Sequence, residues 1–254
     1  MEKILKGNIM SKLYNMGCSF AYGNCVPRKN HLCDEHISPG TLVAKHLGLK
    51  EVNLAVNGNS LDGVLRRLYT YDFEKDGVIL IGVPPSGRFQ IVSYQEQVHN
   101  KIRGGQSERT GKGVSAKECI KYGFSKGPAK EGDFFKTNKW PEISVKKMDL
   151  NETASYYLHF NLAKIQSRLK ELGLKSYIYN SIKFTYGPKN LETALLKRQI
   201  DISNYYKPES DMFAIVKSDS KYELADGDQH PNHLAYHEWA KGFCSWLDER
   251  MTDD

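Results

Sequence analysis

No apolar run in this sequence approaches the ~20 residues that span a membrane, so no membrane partner is expected. The first ten residues, Met1 to Met10, are broken by charge, which is not the pattern of a secretory signal. The chain is accordingly expected to act in the cytoplasm or to be released by lysis. Cysteine is scarce and odd in number, the five being Cys18, Cys25, Cys33, Cys119 and Cys244. Without a signal, that favours free thiols over a disulfide framework. Paired Cys-x2-Cys knuckles are also missing. Cys25, His31, Cys33 and His36 do cluster, but their spacing is not a common zinc pattern. His230, His233 and His237 make a poor metal triad, because on a helix His233 turns away from the other two. No metal site is expected. Internal repeats and low-complexity tracts are absent too.

What is present is an ordinary globular composition. The 254 residues are 40% apolar and 26% charged, enough for one large domain with a full core. The formal net charge of +6 is not spread evenly. Between Gln97 and Leu150 there are twelve Lys and Arg against six Asp and Glu, and the remainder is balanced. This basic segment lacks hydrophobic periodicity and reads as an insertion at about 97–150. Its interleaved aromatics, Tyr122, Phe124, Phe134, Phe135 and Trp140, offer stacking surface for nucleic acid or another polyanion. Charge runs are usually solvated faces, so a solvated insertion with a small local core is the favoured reading and nucleic acid the lesser one. A lid or side wall shaping substrate choice is a third.

Along the chain, strands alternate with helical stretches. Lys12-Leu13-Tyr14 reads as a first strand, Thr41 to Leu47 as a short helix stopped by Gly48, and Val52 to Ala55 as a second strand. Ser60 is expected to cap a helix carrying Leu61, Val64, Leu65 and Leu68. Gly77 to Val83 is apolar on both faces, as a buried central parallel strand should be, and Pro84-Pro85 forbids further pairing. An amphipathic helix follows over about Glu152 to Leu172, then a strand at Ser176 to Asn180 and a helix at Asn190 to Arg198. Met212 to Val216 reads as a fifth strand or a buried helix turn. The last helix spans about Asn232 to Arg250. This alternation predicts an α/β fold, a parallel sheet with helices on both faces. In such sheets ligands bind outside the carboxyl ends of the strands.

That rule singles out Gly17-Cys18-Ser19, Asn57-Gly58-Asn59-Ser60, the Pro84 to Arg88 turn and the segment after the last strand. A serine just past a strand end is held where a ligand can reach it, although most such serines only cap a helix or close a turn. Cys18 is expected to point back into the sheet. The last segment, Asp226-Gly227-Asp228-Gln229-His230-Pro231-Asn232, places carboxylates beside a histidine on a loop that feeds a helix. A carboxylate can fix the imidazole tautomer while the other ring nitrogen takes a serine proton. His237, seven residues on, reads as a buried, hydrogen-bonded structural histidine.

Together these blocks resemble the SGNH (GDSL-type) hydrolase superfamily, in the Gly-Cys-Ser-Phe version found among bacterial and phage members. The resemblance runs over about 12–90 and 150–245. It implies a three-layer α/β/α fold around a parallel sheet of about five strands. It implies Ser19 as nucleophile, His230 as base and Asp228 as its orienting acid, with Asp226 as the alternative. The Ser19 and Gly58 amides would form the oxyanion hole. The family's third block usually reads Gly-x-Asn-Asp and its Asn donates to the oxyanion, whereas the matching run here is Gly82-Val83-Pro84-Pro85. Asn59, Ser86 and Arg88 are the nearest replacement donors, and Ser86 and Arg88 also stand where substrate would be bound. The implied activity is that of a serine esterase working through an acyl-enzyme, without cofactor or metal, on a small-molecule or glycan ester such as an O-acetyl group. Two other readings stay open: a non-catalytic polyanion- or glycan-binding protein on the same scaffold, and an O-acyltransferase using the same triad.

Overall fold

The computed structural model describes residues 11–23, 37–85, 150–183, 191–225 and 228–251. The basic insertion and the Cys25, His31, Cys33 and His36 cluster therefore lie outside the described residues, as does Cys119. Five parallel strands form one sheet: β1 (Lys12–Met16), β2 (Lys50–Asn53), β3 (Val78–Val83), β4 (Lys175–Asn180) and β5 (Tyr205–Tyr206). Their order is β2-β1-β3-β4-β5. This is the order of flavodoxin-like doubly wound sheets, which reverse direction of winding between β1 and β3. The expected α/β fold with a five-stranded parallel sheet between helices is the observed one.

Side chains alternate across the strands, and the alternation divides the core in two. Leu13, Leu80, Tyr177 and Tyr179 pack on one face with α2 (Pro39–Leu47) and α7 (His233–Met251), around Tyr236, Trp239 and Phe243. Tyr14, Met16, Ile79, Ile81 and Ile178 pack on the other with α3 (Leu61–Thr70) and α4 (Leu150–Leu172), around Val64, Leu68, Leu162 and Ile165. Truncating any one of these aliphatic side chains to alanine would cost about 2–5 kcal/mol. β3 contributes to both clusters, which is why its sequence shows no polar face.

Helix ends follow their capping residues. Ser60 caps α3, its Oγ accepting the Gly63 N–H at 3.4 Å, as expected. α2 begins at Pro39, earlier than the periodicity suggested, because Ser38 forms a capping box with Thr41 and a proline suits the first helical turn. β2 lies two residues before its expected place. The strand ends at Asn53, whose Oδ1 accepts the Ala55 N–H at 3.1 Å and turns the chain away from the sheet. Met212 begins a helix, α6 (Met212–Ser218), capped by Asp211, whose Oδ1 takes the Ala214 N–H at 2.7 Å. The fifth strand is instead Tyr205–Tyr206, too short to show a period. α5 (Leu191–Arg198) falls where expected. Among the described residues no helix is long and apolar enough to cross a membrane.

Two phenols are sealed in this core. Tyr205 donates to Asn180 Oδ1. The Tyr179 hydroxyl is buried beside Gly82 with no hydrogen-bond partner among the described residues. Burial, with smaller contributions from Cys18, Tyr236 and Glu51, holds the Tyr179 phenol well above its ordinary value of 10.0. Burial alone raises Tyr205. A phenol whose folded pKa is raised stabilises the fold below its unfolded pKa, and that contribution is lost as pH climbs past about 10. Tyr179→Phe is therefore expected to change stability by less than about 1 kcal/mol at pH 7 and to lose less than the wild type above pH 10. Tyr205→Phe leaves Asn180 Oδ1 without its donor and is expected to cost about 1–3 kcal/mol. Urea denaturation of both variants at the two pH values checks this.

Candidate active site

The turn after β1 is built by one glycine. Gly17 has a φ of +149°, and a Cβ there would stand 2.5 Å from the Gly82 carbonyl oxygen and 2.7 Å from Ala21 Cβ. Only glycine lets the chain leave β1 so close to β3. Cys18 follows in extended conformation as N-cap of α1 (Ser19–Tyr22), its side chain buried in the core as the sequence suggested. Ser19 is thus the first residue of a four-residue helix, so its amide has no intrahelical carbonyl to meet.

The backbone of this turn is held at nearly every carbonyl. Gly17 O accepts the Val56 N–H at 3.1 Å and the Asn59 side-chain amide at 3.2 Å. Cys18 O accepts from Ala21 and Tyr22, and Ser19 O from Gly23. The last two carbonyls go to a pair of asparagines that face each other across β1 and β2. Asn15 Nδ2 donates to Ala21 O at 2.7 Å, and Asn53 Nδ2 to Tyr22 O at 2.8 Å. The sequence reading missed both asparagines. A polar residue inside an otherwise apolar strand was the available signal.

The histidine arrives from the other end of the chain. A two-stranded antiparallel hairpin, β6 (Glu223–Ala225) and β7 (Asp228–Pro231), carries His230. The segment read as a loop is thus a strand from Asp228 onward. Asn232 anchors it: its Nδ2 donates to the carbonyls of Lys221 and Glu223 at 2.6 and 2.9 Å, and its Oδ1 accepts the Ala235 N–H at the start of α7. His230 Nε2 lies 2.9 Å from Ser19 Oγ, across 211 residues of sequence. The imidazole rests against the Phe20 ring, centroids 5.4 Å apart. Ser19 is only 5% exposed, and His230 is half-buried. A hydroxyl within reach of an imidazole nitrogen can hand over its proton as its oxygen attacks.

The other expected residues are distributed as follows. Gly58 has a φ of +77° in the turn after β2. The next residue, Asn59, is 7% exposed and directs its side-chain amide to Gly17 O. Asp228 opens β7, two residues before His230. Asp226, Ser86 and Arg88 lie outside the described residues. Pro84, where the family pattern expects a donor, is buried at the end of β3. His237 is exposed on α7 and so is not the buried histidine the sequence suggested. It is separated from His230 by the end of β7 and the start of α7. Among the described residues no cluster of His, Cys, Asp and Glu is arranged to hold a metal.

Gly17→Ala tests the turn. The new methyl meets backbone of β3, which cannot move aside, and the positive φ is strained for any residue with a Cβ. The variant is expected to lose at least about 3 kcal/mol of stability, read by chemical denaturation.

No family model matches this sequence, and no curated protein does. Among solved structures the chain is similar to the psychrotrophic esterase EstA from Pseudoalteromonas sp., in a form inhibited by monoethylphosphonate, at 12% identity and a TM-score of 0.45 over 94% of this chain and 99% of that one.

Proposed function

We propose that this protein is a serine ester hydrolase of the SGNH type, with Ser19 as nucleophile and His230 as general base. The observation that carries the reading is the 2.9 Å approach of Ser19 Oγ to His230 Nε2 at the carboxyl edge of a parallel sheet. Ser19 Oγ attacks the ester carbonyl while His230 Nε2 takes its proton. The tetrahedral oxyanion is met by the amides of Ser19 and Gly58, with the second N–H of the Asn59 side chain, whose first holds Gly17 O, in place of the donor that Pro84 cannot supply. Collapse expels the alcohol, which His230 protonates, and leaves an acyl-serine. Water, deprotonated by His230, then releases the acid and restores Ser19. Asp228 orients the imidazole and stabilises its charged form. Ser86 and Arg88 contact the substrate. A small O-acyl ester, such as an O-acetyl group on a glycan, is the substrate class to examine first.

The missing donor at Pro84 is a specific reason to keep a non-catalytic glycan- or polyanion-binding protein as the second reading. The two are separated by a fluorophosphonate probe and a p-nitrophenyl acetate assay. The wild type is expected to label stoichiometrically and to turn over the ester. Ser19→Ala should abolish labelling and lower turnover by about 10⁴-fold or more. Asp228→Asn should lower kcat by about 10²–10⁴-fold, and Asp226→Asn should not. Absence of both labelling and turnover in the wild type would overturn the hydrolase reading.

A further inference from the structure

We infer that Glu51 is a positioning residue for the nucleophile turn, acting through Asn15; this rests on the esterase reading above. Glu51 sits on β2 opposite Leu13 of β1, and Asn53 sits opposite Asn15. Partners in a parallel register share a face of the sheet, so Asn15, Glu51 and Asn53 form a polar seam in the face that packs on α2. The Glu51 carboxylate is half-buried there and gathers donors only. Ser38 Oγ donates to its Oε1 at 2.5 Å and Thr41 Oγ1 to its Oε2 at 2.6 Å. Asn15 Nδ2 donates to Oε1 at 3.0 Å.

The Asn15 amide is what joins this seam to the site. Its side chain is fully buried, and Nδ2 faces three acceptors: Ala21 O at 2.7 Å, Glu51 Oε1, and Ser38 Oγ at 3.3 Å. Its Oδ1 has no hydrogen-bond partner among the described residues. Oδ1 therefore does not choose the orientation. The reverse orientation would set Oδ1 against both a carboxylate oxygen and a carbonyl oxygen, which is repulsive on two sides. The carboxylate thus locks the amide in the one pose that donates to Ala21 O, two residues after Ser19. Gly40 of α2 makes room, since a Cβ there would collide with Glu51 Oε1 and with Asn15 itself. A capping box, a half-buried carboxylate and an asparagine together fix the carboxyl end of a helix only four residues long.

Glutamine in place of Glu51 can keep its oxygen on Ser38 and Asn15 and turn its amide to Thr41 Oγ1, whose hydroxyl can accept, so it preserves the brace. Leucine in place of Glu51 removes both acceptor oxygens at similar size. Asn15 then loses its reference, and the Ser19 turn is free to shift relative to His230. Misplacement of a reacting group by about 1 Å costs roughly 10²-fold in rate. Glu51→Leu is expected to lower kcat on p-nitrophenyl acetate and the fluorophosphonate labelling rate by about 10- to 100-fold, with KM within about threefold, and Glu51→Gln to restore most of the loss. Asn15→Ala should show the same split, and the double variant should be no slower than Asn15→Ala alone, because Glu51 acts through Asn15.

Leu169→Ala is the control for a merely structural role. It removes core packing near the far end of α4 and should lower the melting temperature by an amount comparable to Glu51→Leu while leaving kcat unchanged. Labelling of Glu51→Leu within twofold of the wild type, or single-variant losses that multiply in the double, would overturn the inference. If the wild type neither labels nor turns over ester, the esterase reading falls first. A crystal structure of Glu51→Leu then decides the brace: displacement of Ser19 Oγ from His230 Nε2 supports it, and an unmoved pair overturns it. Should Glu51→Leu fail to fold, Asn15→Ala carries the same measurements.

Discussion

Everything at this site depends on how closely β1 approaches β3 at Gly17. The carbonyl of Gly82 leaves no room for a Cβ there, so the chain can turn out of the sheet immediately at the strand end. That early exit puts Ser19 at the first position of a helix, with its amide unspent and its hydroxyl at the sheet edge beside the β1–β3 reversal. A turn one residue later would carry the serine away from the hairpin that brings His230. Gly17 therefore fixes the distance between the two halves of the proposed chemistry, although it takes part in none of it.

A helix of four residues cannot hold itself together, since nucleating a single turn is unfavourable. Its stability is borrowed from polar groups that the sheet would otherwise have no reason to bury. Asn15 and Asn53 satisfy the carbonyls of Ala21 and Tyr22, while Val56 and Asn59 satisfy Gly17. Burying such groups is costly unless they are paired. Among the described buried side-chain atoms of this cluster, Asn15 Oδ1 alone goes without a partner. The apolar faces of the sheet supply the stability, and this polar seam supplies the geometry. The same division holds on the histidine side, where Asn232 ties the β6–β7 hairpin to the start of α7.

Much of the fold was legible because the signals were local and strong. β3 could be read from an unbroken apolar run, α3 from Ser60 and the leucine spacing, and α2 from its glycine stop. The misplacements have equally local causes. β2 ended early because Asn53 turned its own chain, and two-residue β5 was too short for any period. Met212 to Val216, open between a strand and a buried helix turn, proved to be the helix turn, since an apolar run this short suits either. His237 was misjudged because a histidine seven residues along was assumed to share a helix with His230, which lies on a strand.

By itself the sequence determined the class of fold, the order of its first four strands and its longer helices, and the residue types gathered at the strand ends. These follow from periodicity, caps and turn residues, each set by neighbours along the chain. Only the tertiary structure decided that Ser19 and His230 meet at 2.9 Å, because their separation of 211 residues is closed by sheet register and hairpin anchoring. Only the tertiary structure revealed the asparagines, since Asn15 and Asn53 become partners through the pairing of two strands. The residue that opened the chain's turn, Gly17, belongs to both accounts: its place after a strand was local information, and its necessity came from Gly82, 65 positions away in the sequence.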